Sequence, residues 1–332
     1  VCARRADNKF SPTPDGDPAP AQAMPQTALP SSPLVAFYIA FVAGTLHLLR
    51  TSDLRLEEAT LAMVGGSELV SPTALAVVRG CFAALGLCTL RSSIADKEGV
   101  RYQLQRPAGS QLPVVQVHLT GLKRLTTFTV QSWTLLSLYF TGATVASAAF
   151  ACGAALPQLV QVGLWLSFET AWASALMTSS VTTYVLIPGA ARAKNVPQLR
   201  LLFSWRLQVL HNANLAMCAV EMVLGRVPLR MVHVPVGVLW GLHYVGFAWA
   251  WMLRTGGVVY YPFLDPTVPP STSLPIHVAL VAAFAAFFAF GVLLGGSDDL
   301  AVKVSALVAA VLGLTYTRAH GAPTLLREAA TA

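Results

Sequence analysis

The sequence predicts an all-α fold, a polytopic integral membrane helical bundle of about eight spans. Three observations predict it. Of 332 residues, 55% are hydrophobic and only 11% are charged, with mean hydropathy +0.60; ordinary soluble domains carry about 25% charge. Apolar runs long enough, or nearly so, to cross a bilayer recur along the chain. Basic residues are kept out of those runs: of 22 Lys and Arg, only Arg79 lies well inside one. The excess of basic residues is therefore a topology signal and not a nucleic-acid footprint. Membrane lipids are the expected surroundings, and no nucleic-acid partner is expected.

Residues 1–33, rich in Pro, Ala, Ser and Gln with Arg4, Arg5 and Lys9, read as a disordered tail. Its start at Val1 suits either a processed or a shortened end. Apolar segments follow at 34–50, 73–90, 125–151, 157–187, 204–224, 232–253, 275–294 and 301–317, the first, second and last being short for spans. Pro33, Pro72, Pro157 and Pro275 are read as helix starts, where a missing N–H does no harm. Gly153, Gly189, Gly225 and Gly295 are read as helix ends. Residues 34–72 thus hold the first span and its loop, 73–296 the next six spans, and 297–332 the last span and tail. If the spans alternate, 16 basic residues gather on one side and 5 on the other. That ratio puts both termini on the positive (cytosolic, matrix or stromal) face. The longest connection on that face, 91–124, carries VRYQLQ and PVVQVHL around RPAGSQ, alternating as a hairpin does. A lone strand pair is marginal, so it is expected to pack on neighbouring loops.

Polar residues inside the apolar runs are the candidate functional positions, because ionisable groups in a span face a bundle interior, a partner or a cavity. On the 205–221 stretch, His211, Asn214, Cys218 and Glu221 fall within an arc of about 80° at helical spacing. Thr129 and His211 lie about 6 and 10 Å from the positive end of their spans at 1.5 Å per residue, close enough to meet if the helices pack. Glu221, about 15 Å further along, is out of reach of His211. The fourth run descends to the same face through Thr178, Ser179, Ser180, Thr182 and Thr183, with Glu169 near mid-membrane. After the sixth run, Gly256 and Gly257 break the helix ahead of Tyr260, Tyr261, Pro262, Phe263, Leu264 and Asp265. Aromatics at that depth read as interfacial anchors; the adjoining acid reads as a candidate site residue. Arg79 is expected to snorkel or to pair with an acid. His277 reads as a surface or capping residue, and Trp240, Trp249 and Trp251 as packing and interface residues. Cys2, Cys81, Cys88, Cys152 and Cys218 show no CxxC spacing, so neither a disulfide framework nor a zinc site is expected. No cofactor is implied.

Three blocks resemble the androgen-induced transmembrane hydrolases, which cleave fatty acid esters of hydroxy fatty acids, and their rolling-stone-like relatives. They are FTVQSWTLLSLYF (Phe128–Phe140), the helix from His211 to Glu221, and YPFLD (Tyr261–Asp265). The likeness spans roughly residues 75 to 295, which implies a six-span family core over 73–296 with the first span and loop (34–72) and the last span and tail (297–332) added to it. It implies an endomembrane location and a catalytic threonine and histidine falling on Thr129 and His211. Where the hydrolases carry a second histidine one turn earlier, this chain has Gln208.

A threonine hydroxyl becomes a nucleophile when a neighbouring base takes its proton, and neutral imidazole is such a base. The first functional expectation is thus an intramembrane lipid ester hydrolase with Thr129 as nucleophile and His211 as base. Asn212, Asn214, Ser179, Thr182 and Asp265 are the substrate or oxyanion candidates, and Glu169 and Glu221 are buried polar groups. The alternative is a non-catalytic subunit of a larger membrane assembly, such as one in an organellar inner membrane. Its polar stripe would glue helices together, and its added terminal spans would dock other subunits. A proton relay through Glu169 and Glu221 and a haem held by His211, His233 and His243 are weaker readings.

Overall fold

The computed structural model describes residues 30–316 and residue 324; the predicted tail over 1–29 and the end of the C-tail lie outside the described residues. Twelve helices and one two-stranded sheet are seen among the described residues, so the fold is all-α. They are α1 (Ser32–Thr51), α2 (Leu61–Gly65), α3 (Pro72–Ala95), α4 (Phe128–Ala151), α5 (Gln158–Val181), α6 (Ile187–Arg192), α7 (Val196–Leu202), α8 (Trp205–Gln208), α9 (Asn214–Leu224), α10 (Val234–Thr255), α11 (Pro270–Gly295) and α12 (Leu300–Leu314). Two π-helical turns join neighbours into longer rods: Thr182–Leu186 runs α5 into α6, and Val209–Ala213 runs α8 into α9. Six rods are long and apolar enough to cross a bilayer, namely α1, α3, α4, the α8–α9 rod, α10 (counted from Met231) and α11.

The other long helix, α5, is the hub. Its residues from Phe168 to Ser179 are buried without interruption, which means all round the helix. Over that stretch the helix has no lipid-facing side and no need of a lipid-like surface, and α5 accordingly carries Glu169, Thr170, Ser174, Thr178 and Ser179 there. Around it stand α4, α9, α10, α11 and α12, while α1 leans on α10 and α11 from outside. The α3–α4 pair is close because Gly86 has no side chain. A Cβ there would lie 2.9 Å from Ser137 Cβ, and the Gly86 carbonyl accepts from Trp133 Nε1 at 3.1 Å.

Several boundaries differ from expectation. Pro275 is inside α11 and does not start it; Pro269 and Pro270 set the start, where the Pro269 carbonyl accepts from the amides of Thr272 and Ser273. Gly189 likewise sits inside α6, because the π turn carries the helix past it. The second span reaches Ala95, and at 24 residues is full length. His277 is fully buried, its ring edge-on to Tyr38 and its Nδ1–H donating to the Ser273 carbonyl at 2.7 Å. The expected hairpin is present as β1 (Val100–Gln103) antiparallel to β2 (Gln116–Leu119), with Val100 opposite Leu119. It packs Leu104, Val117 and Leu119 against Val258 and Tyr260. We call this the hairpin end of the bundle.

The extension of α3 is anchored by Asp96, which receives Arg124 Nη2 at 2.7 Å and Arg206 Nη1. Burial pushes the Asp96 carboxyl up, but the hydrogen bond and charge of Arg206, with the Gly99 amide and Arg124, outweigh it and hold the group below 3.8. A carboxyl held low in the folded state contributes stability above its unfolded pKa and loses it as pH falls through the folded value. Asp96→Asn is expected to lower stability at pH 7 by about 1–3 kcal/mol. Thermal melts in detergent should show that deficit shrinking as the pH is taken below 3.8.

Candidate functional site

The site lies at the hairpin end, where three elements meet. Residues 121–126 form a 3₁₀ turn, Thr127 is extended, and α4 begins at Phe128. Thr129 therefore stands in the first turn of α4, nearer the end than the sequence suggested. Its amide is one of the helix-start donors with no carbonyl in its own helix to bond.

The second element is the π turn Val209–Ala213, which carries His211. A π turn holds an extra residue, so the regular spacing that aligned His211 with Asn214, Cys218 and Glu221 does not run through it. The backbone groups at this irregularity are taken up by side chains. Ser179 donates its hydroxyl to the His211 carbonyl, and the Leu215 amide donates to Asn214 Oδ1 at 2.7 Å. His211 is 4% exposed, and its Nε2 lies 3.3 Å from Thr129 Oγ1. Its Nδ1 lies 2.8 Å from the Leu207 carbonyl. A carbonyl only accepts, so Nδ1 carries the ring proton, and in the neutral imidazole Nε2 offers a lone pair to Thr129.

The third element is the turn after α10. Gly256 and Gly257 take positive φ, +70° and +115°, and reverse the chain into Pro262–Leu264. Tyr261 enters the site from there, its hydroxyl 3.4 Å from both Thr129 Oγ1 and the Thr129 amide. The Tyr260 and Thr126 hydroxyls are 2.7 Å apart, and the Tyr244 hydroxyl donates to the Thr126 carbonyl at 3.3 Å. Burial raises the pKa of Tyr261 against the lowering effect of its Thr129 contacts, so the phenol keeps its proton.

Two cavities meet at this point. One is apolar, runs among α1, α4, α5, α10 and α11, and is lined by Tyr38, Phe128, Met177, Val245 and Phe284. The other opens between the hairpin, α7 and the π turn, with His211, Arg124, Gln198 and Tyr260 on its walls. Thr129, Leu186 and Tyr261 line both.

The remaining candidates lie elsewhere. Asn212 turns away, its Nδ2 donating to Gln208 Oε1 at 3.0 Å and to the Tyr316 carbonyl at 3.4 Å. Asn214 Oδ1 and the Ser179 hydroxyl are occupied at the π turn, while Thr182 lines the apolar cavity. Asp265 lines neither cavity; it accepts from Ser110, from the Thr267 amide at 2.9 Å and from the Thr267 hydroxyl at 2.7 Å, stapling two loops. An acceptor-only carboxylate so engaged has no donor to offer an oxyanion. Glu221 is paired with Arg79. Glu169 lies far from the site, accepting from the Arg230 amide at 2.7 Å with His233 Nδ1 at 2.7 Å. Among the described residues, no three His, Cys, Asp or Glu side chains stand together as a metal site. Sequence reasoning missed Tyr261 and the Leu207 carbonyl. An aromatic at interfacial depth looks the same whether it anchors or donates, and a backbone carbonyl leaves no residue signal at all.

The fold defines an all-α, multi-pass membrane protein. The chain matches no family model, no curated protein and no solved structure.

Proposed function

We propose that the chain is an intramembrane hydrolase that cleaves lipid esters through an acyl-threonine, as its likeness to the androgen-induced transmembrane hydrolases implies. The observation that carries this reading is the His211 imidazole, proton fixed on Nδ1 by the Leu207 carbonyl and Nε2 facing Thr129 Oγ1 at 3.3 Å. The Thr129 oxygen adds to the ester carbonyl while its proton passes to His211 Nε2. Collapse breaks the acyl–oxygen bond, and the departing alkoxide takes that proton as the alcohol. Water then adds to the acyl-threonine, giving its proton to His211, and the carboxylic acid leaves as Thr129 recovers the proton. The apolar cavity suits the acyl chain. The second cavity gives the alcohol and water a path to the hairpin end. That end is read as the positive, cytosol-like face of an endomembrane, with both termini on it.

One observation favours a second reading, a non-catalytic subunit in a larger assembly. Helix α12 has 15 residues, about 22 Å against a hydrocarbon core of about 30 Å. It buries only Leu307 and exposes Leu300, Val302, Val308 and Leu312, an apolar surface too short to span by itself that a second membrane subunit could complete. Labelling of the purified, detergent-solubilised protein with a fluorophosphonate probe separates the two readings. Wild type should label, and Thr129→Ala and His211→Ala should not. Folded wild type that does not label would favour the subunit.

A further inference from the structure

Acyl transfer places negative charge on the former carbonyl oxygen, and a hydroxyl–imidazole pair supplies nothing to hold it. The side-chain amides and hydroxyls nearest by sequence are engaged elsewhere: Ser179 on the His211 carbonyl, Asn214 on Leu215, Asn212 on Gln208 and Tyr316. Two donors stand beside Thr129 Oγ1, and in the free site they face each other across the space an ester oxygen would enter. The first is the Thr129 amide, in the first turn of α4, where the helix dipole also favours negative charge. The second is the Tyr261 phenol. At 3.4 Å the Thr129 N–H donates into the Tyr261 oxygen. That leaves the phenolic proton free to point toward Thr129 Oγ1, also at 3.4 Å, whose own proton is directed to His211.

Resting on the hydrolase reading, we propose that Tyr261 is a catalytic residue: its hydroxyl and the Thr129 amide form the oxyanion hole for an ester bound at Thr129. The donor is pre-organised. The Tyr261 ring stands edge-on to Tyr244 with centroids 5.9 Å apart and stacks on Phe263 at 5.5 Å. The turn beneath is pinned by Trp249 Nε1 donating to the Leu264 carbonyl at 3.1 Å and by the Asp265 contacts to Ser110 and Thr267. A phenol whose ring is already fixed has only to turn its proton as the charge develops. Because Tyr261 lines both cavities, the ester oxygen would sit where acyl chain and alcohol part.

The test compares wild type with Tyr261→Phe in detergent, on a medium-chain oxo ester and its matching thiono ester, whose sulfur accepts hydrogen bonds poorly. Phenylalanine keeps the ring packing. Wild type should prefer the oxo ester strongly. Tyr261→Phe should lower kcat on it by about 10²-fold with little change in KM, and should reduce the oxo-over-thiono preference by a similar factor. That preference is a ratio within one preparation, so loss of folded protein does not alter it. An unchanged preference in Tyr261→Phe, with turnover still abolished by Thr129→Ala, overturns the inference and leaves the hydrolase reading standing. Absence of turnover in wild type, or turnover that survives Thr129→Ala, overturns both.

Discussion

Replacing Arg79 with leucine (Arg79→Leu) is expected to destabilise the folded protein by about 3–5 kcal/mol. Arg79 is fully buried and Glu221 is 2% exposed. The guanidinium is bidentate on the carboxylate, with Nε to Oε2 at 3.0 Å and Nη2 on Oε1. Its remaining nitrogen donates to the Val64 carbonyl at 2.7 Å and to Ser147 Oγ at 2.7 Å, and the Tyr139 hydroxyl donates to Glu221 Oε1 at 2.8 Å. One side chain on α3 thus ties together α2, α4 and α9. Removing it strands a carboxylate in a low-dielectric interior, and that uncompensated charge is the larger part of the cost. The double variant Arg79→Leu/Glu221→Leu should therefore recover most of the loss, short of wild type because Val64, Ser147 and Tyr139 lose their partner. Thermal melts of the two variants in one detergent check this. A double variant less stable than Arg79→Leu would refute the stranded-charge account.

Much of the fold was legible because hydropathy is a solvent signal, and each of the eight apolar runs corresponds to a helix. Where chain geometry and not solvent decides, the sequence was silent. The π turns at Thr182–Leu186 and Val209–Ala213 read TTYVL and VLHNA, residue types that also occur within regular helices, so no residue type marks them. Pro275 has the residue type of a helix start, yet the Pro269–Pro270 pair five residues earlier starts the helix. The polarity of α5 looked like a row of site residues; most of it reflects a helix with no lipid face. At the site, depth along two spans was enough to bring Thr129 and His211 near each other, since rise per residue is fixed. Of Asp265 and Tyr261, it is Tyr261 that stands beside Thr129. Both lie on one short turn, and only its fold decides that the phenol enters the cavity while the carboxylate turns back to Ser110 and Thr267.

Thr129→Ala and His211→Ala are each expected to lower kcat on a medium-chain acyl ester by at least about 10³-fold, and the double variant to be no worse than either. The reasoning follows from division of labour. Alanine at Thr129 removes the hydroxyl that His211 Nε2 faces, after which the base has no nucleophile to deprotonate. Alanine at His211 leaves a hydroxyl whose proton has no acceptor, and an unassisted threonine is a weak nucleophile. Each substitution therefore removes the same step, and two removals of one step do not multiply. Thr129→Ser keeps the oxygen at the helix start and should retain measurable turnover. A polar seam behaves differently. The pair would then be one 3.3 Å contact contributing about 0.5–1.5 kcal/mol, and each alanine would shift the melting temperature while turnover, if any, stayed within a few-fold of wild type. Multiplying losses in the double variant would point to two separate roles, with His211 acting on something other than the Thr129 proton.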